Sequence, residues 1–596
     1  MSSATVRPIG VYFLSGLAVV PGAQPQLLAI DTIRGYLVSV DAATGNTTIL
    51  NPHQVTDWIG AMGLAVSVPT GASEEASPTV WFTRGASVFR VSLARLALDL
   101  TVESLTTENL TTESLTAESL TAKSPIAEGL TAESAMQSVE VFVRLSDPVD
   151  GIAVDDAYVY VSCQKAKRIF IYDRQSGDRI NTFAQPGVGI ENMTLTQESL
   201  WVCDRTEQTV YCLDKTTGEI RYSALTPFES PTGIVFYPSA DGEETCYVSY
   251  ASEEAYIRDD PNAADPYQLT FRDRTFIHPL YIHHDAANHY TLSNGYLTEI
   301  SYVEELHPLE DVPILKNIEW RMALPADTPR QRVRSVEPIG HPFTEEMQKG
   351  QRVAVFRFDE ITPYQAGLIG WKATVEMYGI KHTLTPADVE TVPDLPADFQ
   401  QRYLVDDDEL MMESETVIAA AREAVGSETN ILRKALRIRN YVYDRLSYGI
   451  QPKIDTPDVA LSRGVGSCGE YVGVLLALFR LNGIACRTIG RYKCPQKAEL
   501  RHIPLQPDYN HVWLEFYIPS IGWLPMESNV DDVVEKGPYP NRFFMGLAWY
   551  HTELGKGISF GKLQADNRPE RFSVSDLAIN HIRFSILDEL DPSETT

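Results

Sequence analysis

Cysteine is scarce in this 596-residue chain: there are seven, at 163, 203, 212, 246, 468, 486 and 494, with no Cys-x-x-Cys pair among them. An odd and sparse set argues against a disulfide framework and a thiolate zinc site, and suits a reducing compartment. Positive charge is also in short supply, with 50 Lys+Arg against 80 Asp+Glu and a formal net charge of −30. Nucleic acids and anionic membranes are bound by basic patches, so neither is expected as a partner. Long apolar runs are missing as well. The one early run, Ile9 to Val20, contains Ser15 and Gly16 and is too short to span a bilayer. Pro21 then breaks the small-x-small pattern of a signal cleavage site. A cytoplasmic protein is expected.

What is present suits a soluble chain of several domains: 44% hydrophobic, 22% charged and 10% aromatic residues, ample for buried cores. Residues 1–285 read as short β-strands with an internal repeat. Tyr36-Leu-Val-Ser-Val-Asp-Ala-Ala-Thr-Gly45, Arg168-Ile-Phe-Ile-Tyr-Asp-Arg-Gln-Ser-Gly177 and Thr209-Val-Tyr-Cys-Leu-Asp-Lys-Thr-Thr-Gly218 share an alternating strand followed by Asp-x-x-x-Gly. The step from Asp173 to Asp214 has the length of a four-stranded propeller blade, so a β-propeller-like domain of about five blades is expected. Residues 101–136 interrupt it with a five-residue Leu-Thr-x-Glu-Ser repeat, a low-complexity insertion whose period builds no apolar face.

Residues 286–400 keep alternating strands without that repeat, as a small β-sandwich would. The acidic run Asp406–Glu409 lacks the glycine and ligand spacing of a calcium loop, and no metal or cofactor is expected. From 401 to 596 the pattern becomes α+β. An amphipathic helix through Ile431, Leu432, Ala435, Leu436 and Ile438 precedes Gly464-Val-Gly-Ser-Cys-Gly-Glu-Tyr471. In that stretch Ser467 and Glu470 form a Ser-x-x-Glu capping box. Cys468 therefore falls in the first helical turn, where free N–H groups and the helix dipole favour a thiolate. It is a candidate nucleophile.

Two strands follow. In His511-Val-Trp-Leu-Glu-Phe-Tyr-Ile518, alternation assigns Val512, Leu514, Phe516 and Ile518 to a core face, and His511, Trp513, Glu515 and Tyr517 to a polar one. In Gly522-Trp-Leu-Pro-Met-Glu527, Glu527 shares a side with Trp523 and Pro525. A thiol, an imidazole and a carboxylate in this order can serve as nucleophile, base and the group that orients the base.

These motifs, with Gly483-Ile-Ala-Cys-Arg487 between them, together resemble the transglutaminase-like superfamily over roughly residues 405–560. The resemblance implies a papain-like core, and it carries a Cys-His-Asp triad directly onto Cys468 and His511. Where the family has Asp, this chain has Glu527, with Asn529, Asp531 and Asp532 as alternatives for the third position. The expected function is that of a cysteine-dependent enzyme acting on peptide or protein amide bonds through a thioester, as a protease, amidase or transamidase. The alternative is an inactive transglutaminase-like scaffold that binds a protein partner through the propeller.

Overall fold

The computed structural model describes residues 5–22, 24–68, 77–96, 139–238, 244–259, 262, 264, 267–307, 314–362, 364–567 and 574–595. The low-complexity insertion expected at 101–136 lies outside the described residues. The chain divides into two compact units, one formed by 1–222 with 228–280 and the other by 223–227 with 281–596.

Five antiparallel sheets follow one another along the first unit, four of them four-stranded and the last three-stranded. Their first strands are β1 (Leu14–Val20), β2 (Ala61–Ser67), β3 (Ile152–Val154), β4 (Ile190–Leu195) and β5 (Pro231–Pro238). Each of these lies against the next, and β5 lies against β1. Glycine permits the approach. A Cβ on Gly16 would come within 2.6 Å of the Met62 carbonyl, and one on Gly63 within 2.6 Å of the Asp150 carbonyl. One on Gly151 would come within 2.9 Å of Asn192 Cα, and one on Gly233 within 3.0 Å of Leu17 N. Val6 and Ile277 exchange backbone hydrogen bonds of 2.8 Å, so the N-terminal segment supplies a further partner to the last sheet.

The Asp-x-x-x-Gly turns work as their chemistry requires. Asp41, Asp173 and Asp214 each accept N–H bonds from the residues two and three ahead. Gly45, Gly177 and Gly218 close the turns at φ of 75° to 76°, a region that costs other residues a clash with Cβ.

The first half of the second unit includes β6 (Tyr290–Leu306), β7 (Leu315–Ala323), β8 (Gln351–Ile361) and β9 (Leu368–His382). β6 pairs with β9 in one antiparallel sheet and β7 with β8 in another. A helical layer follows, with α1 (Glu415–Val425), α2 (Ile431–Arg445) and α3 (Cys468–Leu481). α3 packs against α1 and α2, and against a three-stranded sheet of β10 (Cys486–Tyr492), β11 (Asn510–Ile518) and β12 (Gly522–Met526). Val472, Val474, Leu475, Leu476, Leu478 and Phe479 of α3 are all buried, as a helix surrounded by protein demands. The chain then returns to the earlier sheets: β13 (Gly561–Ala565) pairs with β7 and β14 (Ala578–Leu590) with β6.

One expectation is corrected. The face of β11 assigned as polar is not a wet face, because His511, Trp513 and Glu515 are all buried. The sheet is covered on both sides, and Glu515 is neutralised there by Arg487 and by Lys556, whose Nζ lies 3.0 Å away. Alternation marks which residues share a face, and buried ion pairing then lets a charged face go inside.

Candidate active site

The start of α3 is fixed by its own side chains. The Ser467 backbone N–H donates to Glu470 Oε2 at 2.9 Å, and the Ser467 hydroxyl donates to the same oxygen at 2.6 Å. Glu470 is itself buried and reaches Arg463, which also pairs with Asp455. Cys468 opens the helix behind this clamp and is partly exposed, whereas the other six cysteines are buried.

His511 stands near the start of β11, in register with Arg491 of β10. Its Nε2 lies 3.0 and 2.9 Å from the two carboxylate oxygens of Glu527, so Nε2–H donates to that carboxylate. His511 also hydrogen-bonds with Cys468. Glu527 follows the end of β12, next to the β11 strand that carries His511. The alternatives for the third position are engaged elsewhere. Asn529 accepts from Ser528, Asp531 from Arg542 at 2.8 Å, and Asp532 from the Tyr471 hydroxyl at 2.6 Å.

Glu527 has more partners than sequence reasoning anticipated. It forms an ion pair with Lys493, accepts from His551 Nε2 at 2.9 Å, and accepts the Ser528 backbone N–H at 2.8 Å. Lys493 follows β10 and forms a single β-bridge with His551, while Cys494 N–H donates to Tyr550 O at 2.8 Å. The loop that carries His551 is tied by the buried Arg330. Its guanidinium donates to the carbonyls of Ala548 (2.9 Å) and His551 (2.8 Å) and to Glu553 (3.1 Å). Lys493, His551 and Arg330 carry no motif and are far apart in sequence, so only the fold brings them together.

The ionisation of the three groups follows from these contacts. For Glu527, burial alone would favour the neutral acid. The charges of His511 and Lys493, with hydrogen bonds from both histidines, outweigh it and hold the carboxyl well below its ordinary range. For His511, burial and Lys493 oppose the proton, but the Glu527 charge and the bonds to Cys468 and Glu527 raise its pKa overall. For Cys468, burial again opposes charge. The hydrogen bond and charge of His511, and a hydrogen bond from the Val512 backbone, lower the thiol below its ordinary value. His551 differs: burial and the Lys493 charge push it down to about 3, so it is a neutral donor.

A cleft of about 1540 Å³ lies by the other end of α3, lined by Arg402, Arg480 and Arg487 among others, and includes none of these site residues. Among the described residues no group of three His, Cys, Asp or Glu is placed to hold a metal ion, and no helix is long and apolar enough to cross a membrane.

Residues 418–528 match the model of the transglutaminase-like superfamily, so the chain carries a transglutaminase-like domain. No curated protein matches the chain. Among solved structures, a candidate cysteine protease from Cytophaga hutchinsonii is similar at 16% identity and a TM-score of 0.37, over 50% of this chain and 93% of that one. Glutaminyl cyclase from Myxococcus xanthus is similar at 11% identity and a TM-score of 0.26, over 46% and 94%. The Dos1 propeller is similar at 12% identity and a TM-score of 0.23, over 47% and 65%. TM-scores this low do not define a shared fold.

Proposed function

We propose that the second unit is a cysteine-dependent enzyme acting on amide bonds of peptides or proteins, with Cys468 as nucleophile, His511 as its acid and base, and Glu527 as the group that orients His511. One observation carries the reading: a thiol at the start of a buried helix hydrogen-bonds with a histidine that holds it below its ordinary pKa and that a buried carboxylate anchors through Nε2. A structural thiol has no need of that arrangement. The six other cysteines lack it.

The Cys468 sulfur attacks the carbonyl carbon, and charge moves to the oxygen beside the N–H groups that begin α3, which have no acceptor within the helix. The C–N bond breaks as His511 gives its proton to the departing amine. Water or a second amine then attacks the thioester, His511 takes the incoming proton, and the C–S bond breaks to return the thiolate. Water makes the reaction a hydrolysis, and an amine makes it a transamidation. The ring of five sheets in the first unit is, in this reading, a five-bladed propeller that captures the polypeptide substrate or a protein partner.

The test uses the full chain with unfolded casein, with and without a labelled primary amine. New amino termini indicate hydrolysis and incorporated amine indicates transamidation. Either product, lost in Cys468→Ala, supports the reading; a product that survives in Cys468→Ala contradicts it.

A further inference from the structure

A buried carboxylate bonded only to His511 would hold that ring as a permanent imidazolium, and a ring that never releases its proton cannot serve an acid–base cycle. Glu527 is not in that situation. Lys493 forms an ion pair with it, and His551 and the Ser528 N–H donate to the same carboxylate. We propose that Lys493 is a positioning residue for the reaction at Cys468: by sharing the Glu527 charge it sets the pH at which His511 lets its proton go, while His551 fixes the carboxylate's orientation. The inference rests on the assignment of Cys468 as nucleophile and His511 as its partner.

The geometry supports a division of labour. Lys493 and His551 face each other across a single β-bridge, so one backbone contact brings both to the carboxylate. Arg330 fastens the His551 loop through three backbone carbonyls and a 3.1 Å ion pair with Glu553. His551 is fully buried and neutral, so it contributes a hydrogen bond without adding charge. Lys493 supplies the positive charge. The groups that face His511 are Cys468 from α3, Glu527 beyond β12, Lys493 beyond β10 and Tyr509 ahead of β11, whose ring centre lies 6.1 Å from the imidazole. Of these, Lys493 is the one that opposes the proton on His511 by its charge.

The sign follows. Removing the lysine charge leaves His511 and Glu527 sharing one proton more tightly, whichever of the two holds it, so that proton leaves at higher pH. Two alkylating reagents read this on the full chain. Neutral iodoacetamide follows the Cys468 thiolate. Anionic iodoacetate is drawn by the imidazolium, and its rate falls when His511 loses its charge. In Lys493→Met the alkaline fall of the iodoacetate rate should move up by about one pH unit, with Lys493→Gln moving it likewise. Lys493→Arg should return it to the native position. An alkaline fall that stays in place in both neutral variants, while Cys468 is still alkylated, would overturn the proposal and leave Lys493 a packing residue. A native chain in which Cys468 reacts as an ordinary thiol would instead fail the nucleophile assignment, before any lysine variant is made.

Discussion

Cys203 in the first unit and Cys468 in the second both carry the penalty that burial places on a thiolate, yet they ionise in opposite directions. At Cys203 burial is joined by the nearby carboxylates Glu191 and Asp204, and the thiol is raised well above its ordinary value. At Cys468 the neighbour is His511, whose hydrogen bond and charge outweigh the same penalty. Cys246 and Cys494, buried without such a partner, are also raised, and so is Cys486, where burial outweighs the charge and hydrogen bond of Arg480. Depth alone therefore does not decide what a cysteine can do. A positive partner lowers a buried thiol only where it outweighs burial, as His511 does at Cys468 and Arg480 does not at Cys486.

The comparison breaks most completely at the proposed nucleophile. Cys468→Ala should lower turnover of an amide substrate by roughly 10⁴-fold or more, the scale seen when a covalent nucleophile is removed. A Cys203→Ala variant should keep turnover near the native level. His511→Ala should make Cys468 resemble an ordinary thiol, so its alkylation at pH 6 should fall by about 100-fold while alkylation at pH 9 stays within a few-fold. Glu527→Gln should reduce alkylation at pH 6 by about tenfold. It also leaves the half-buried Lys493 without its carboxylate, a loss of about 2 kcal/mol that a denaturation midpoint would register. Unchanged reactivity in Glu527→Gln would remove Glu527 from the site.

The first unit sharpens the contrast through pH. Burial raises Glu191 to about 7 and Asp204 to about 6, and Asp150 also to about 6. Carboxyls raised on folding bind protons more tightly in the folded chain, so their contribution is full at low pH and is lost as pH rises from the ordinary carboxylate range to about 7. Glu527 has the opposite sign: its contribution is present above the ordinary carboxylate value and is lost as pH falls below it. Denaturant midpoints read by alkylation of Cys203 should therefore show the first unit more stable at pH 5 than at pH 8, by about 2 kcal/mol. A midpoint that rises with pH over that range would contradict the charge assignment at Glu191.

Sequence carried unequal parts of this account. The capping box and the apolar pattern of α3 put Cys468 at a helix start, and the Asp-x-x-x-Gly turns marked where strands end in the first unit. Both signals are local, so they survive in a linear reading. The glycines at 16, 63, 151 and 233 precede Leu or Ile in four of the five first strands, a repeat visible in the sequence. Its meaning, close approach to the next sheet, needs the packing. In the fourth strand the position is Asn192, whose buried amide has no hydrogen-bond partner among the described residues. Lys493, His551 and Arg330 left no trace in pattern, because Lys493 reaches Glu527 through a fold contact and Arg330 acts mostly on backbone carbonyls. The return of β13 and β14 to β7 and β6 was equally silent, since strand pairing at such separation has no local signature.

The most direct test resolves all seven cysteines at once. The native chain and His511→Ala are alkylated with limiting iodoacetamide at pH 6, and modification is read at each cysteine by peptide mass spectrometry. The account predicts that Cys468 is modified first and well ahead of the other six, and that this lead disappears in His511→Ala. A Cys468 that reacts no faster than a free thiol at pH 6, or that keeps its lead without His511, would contradict it.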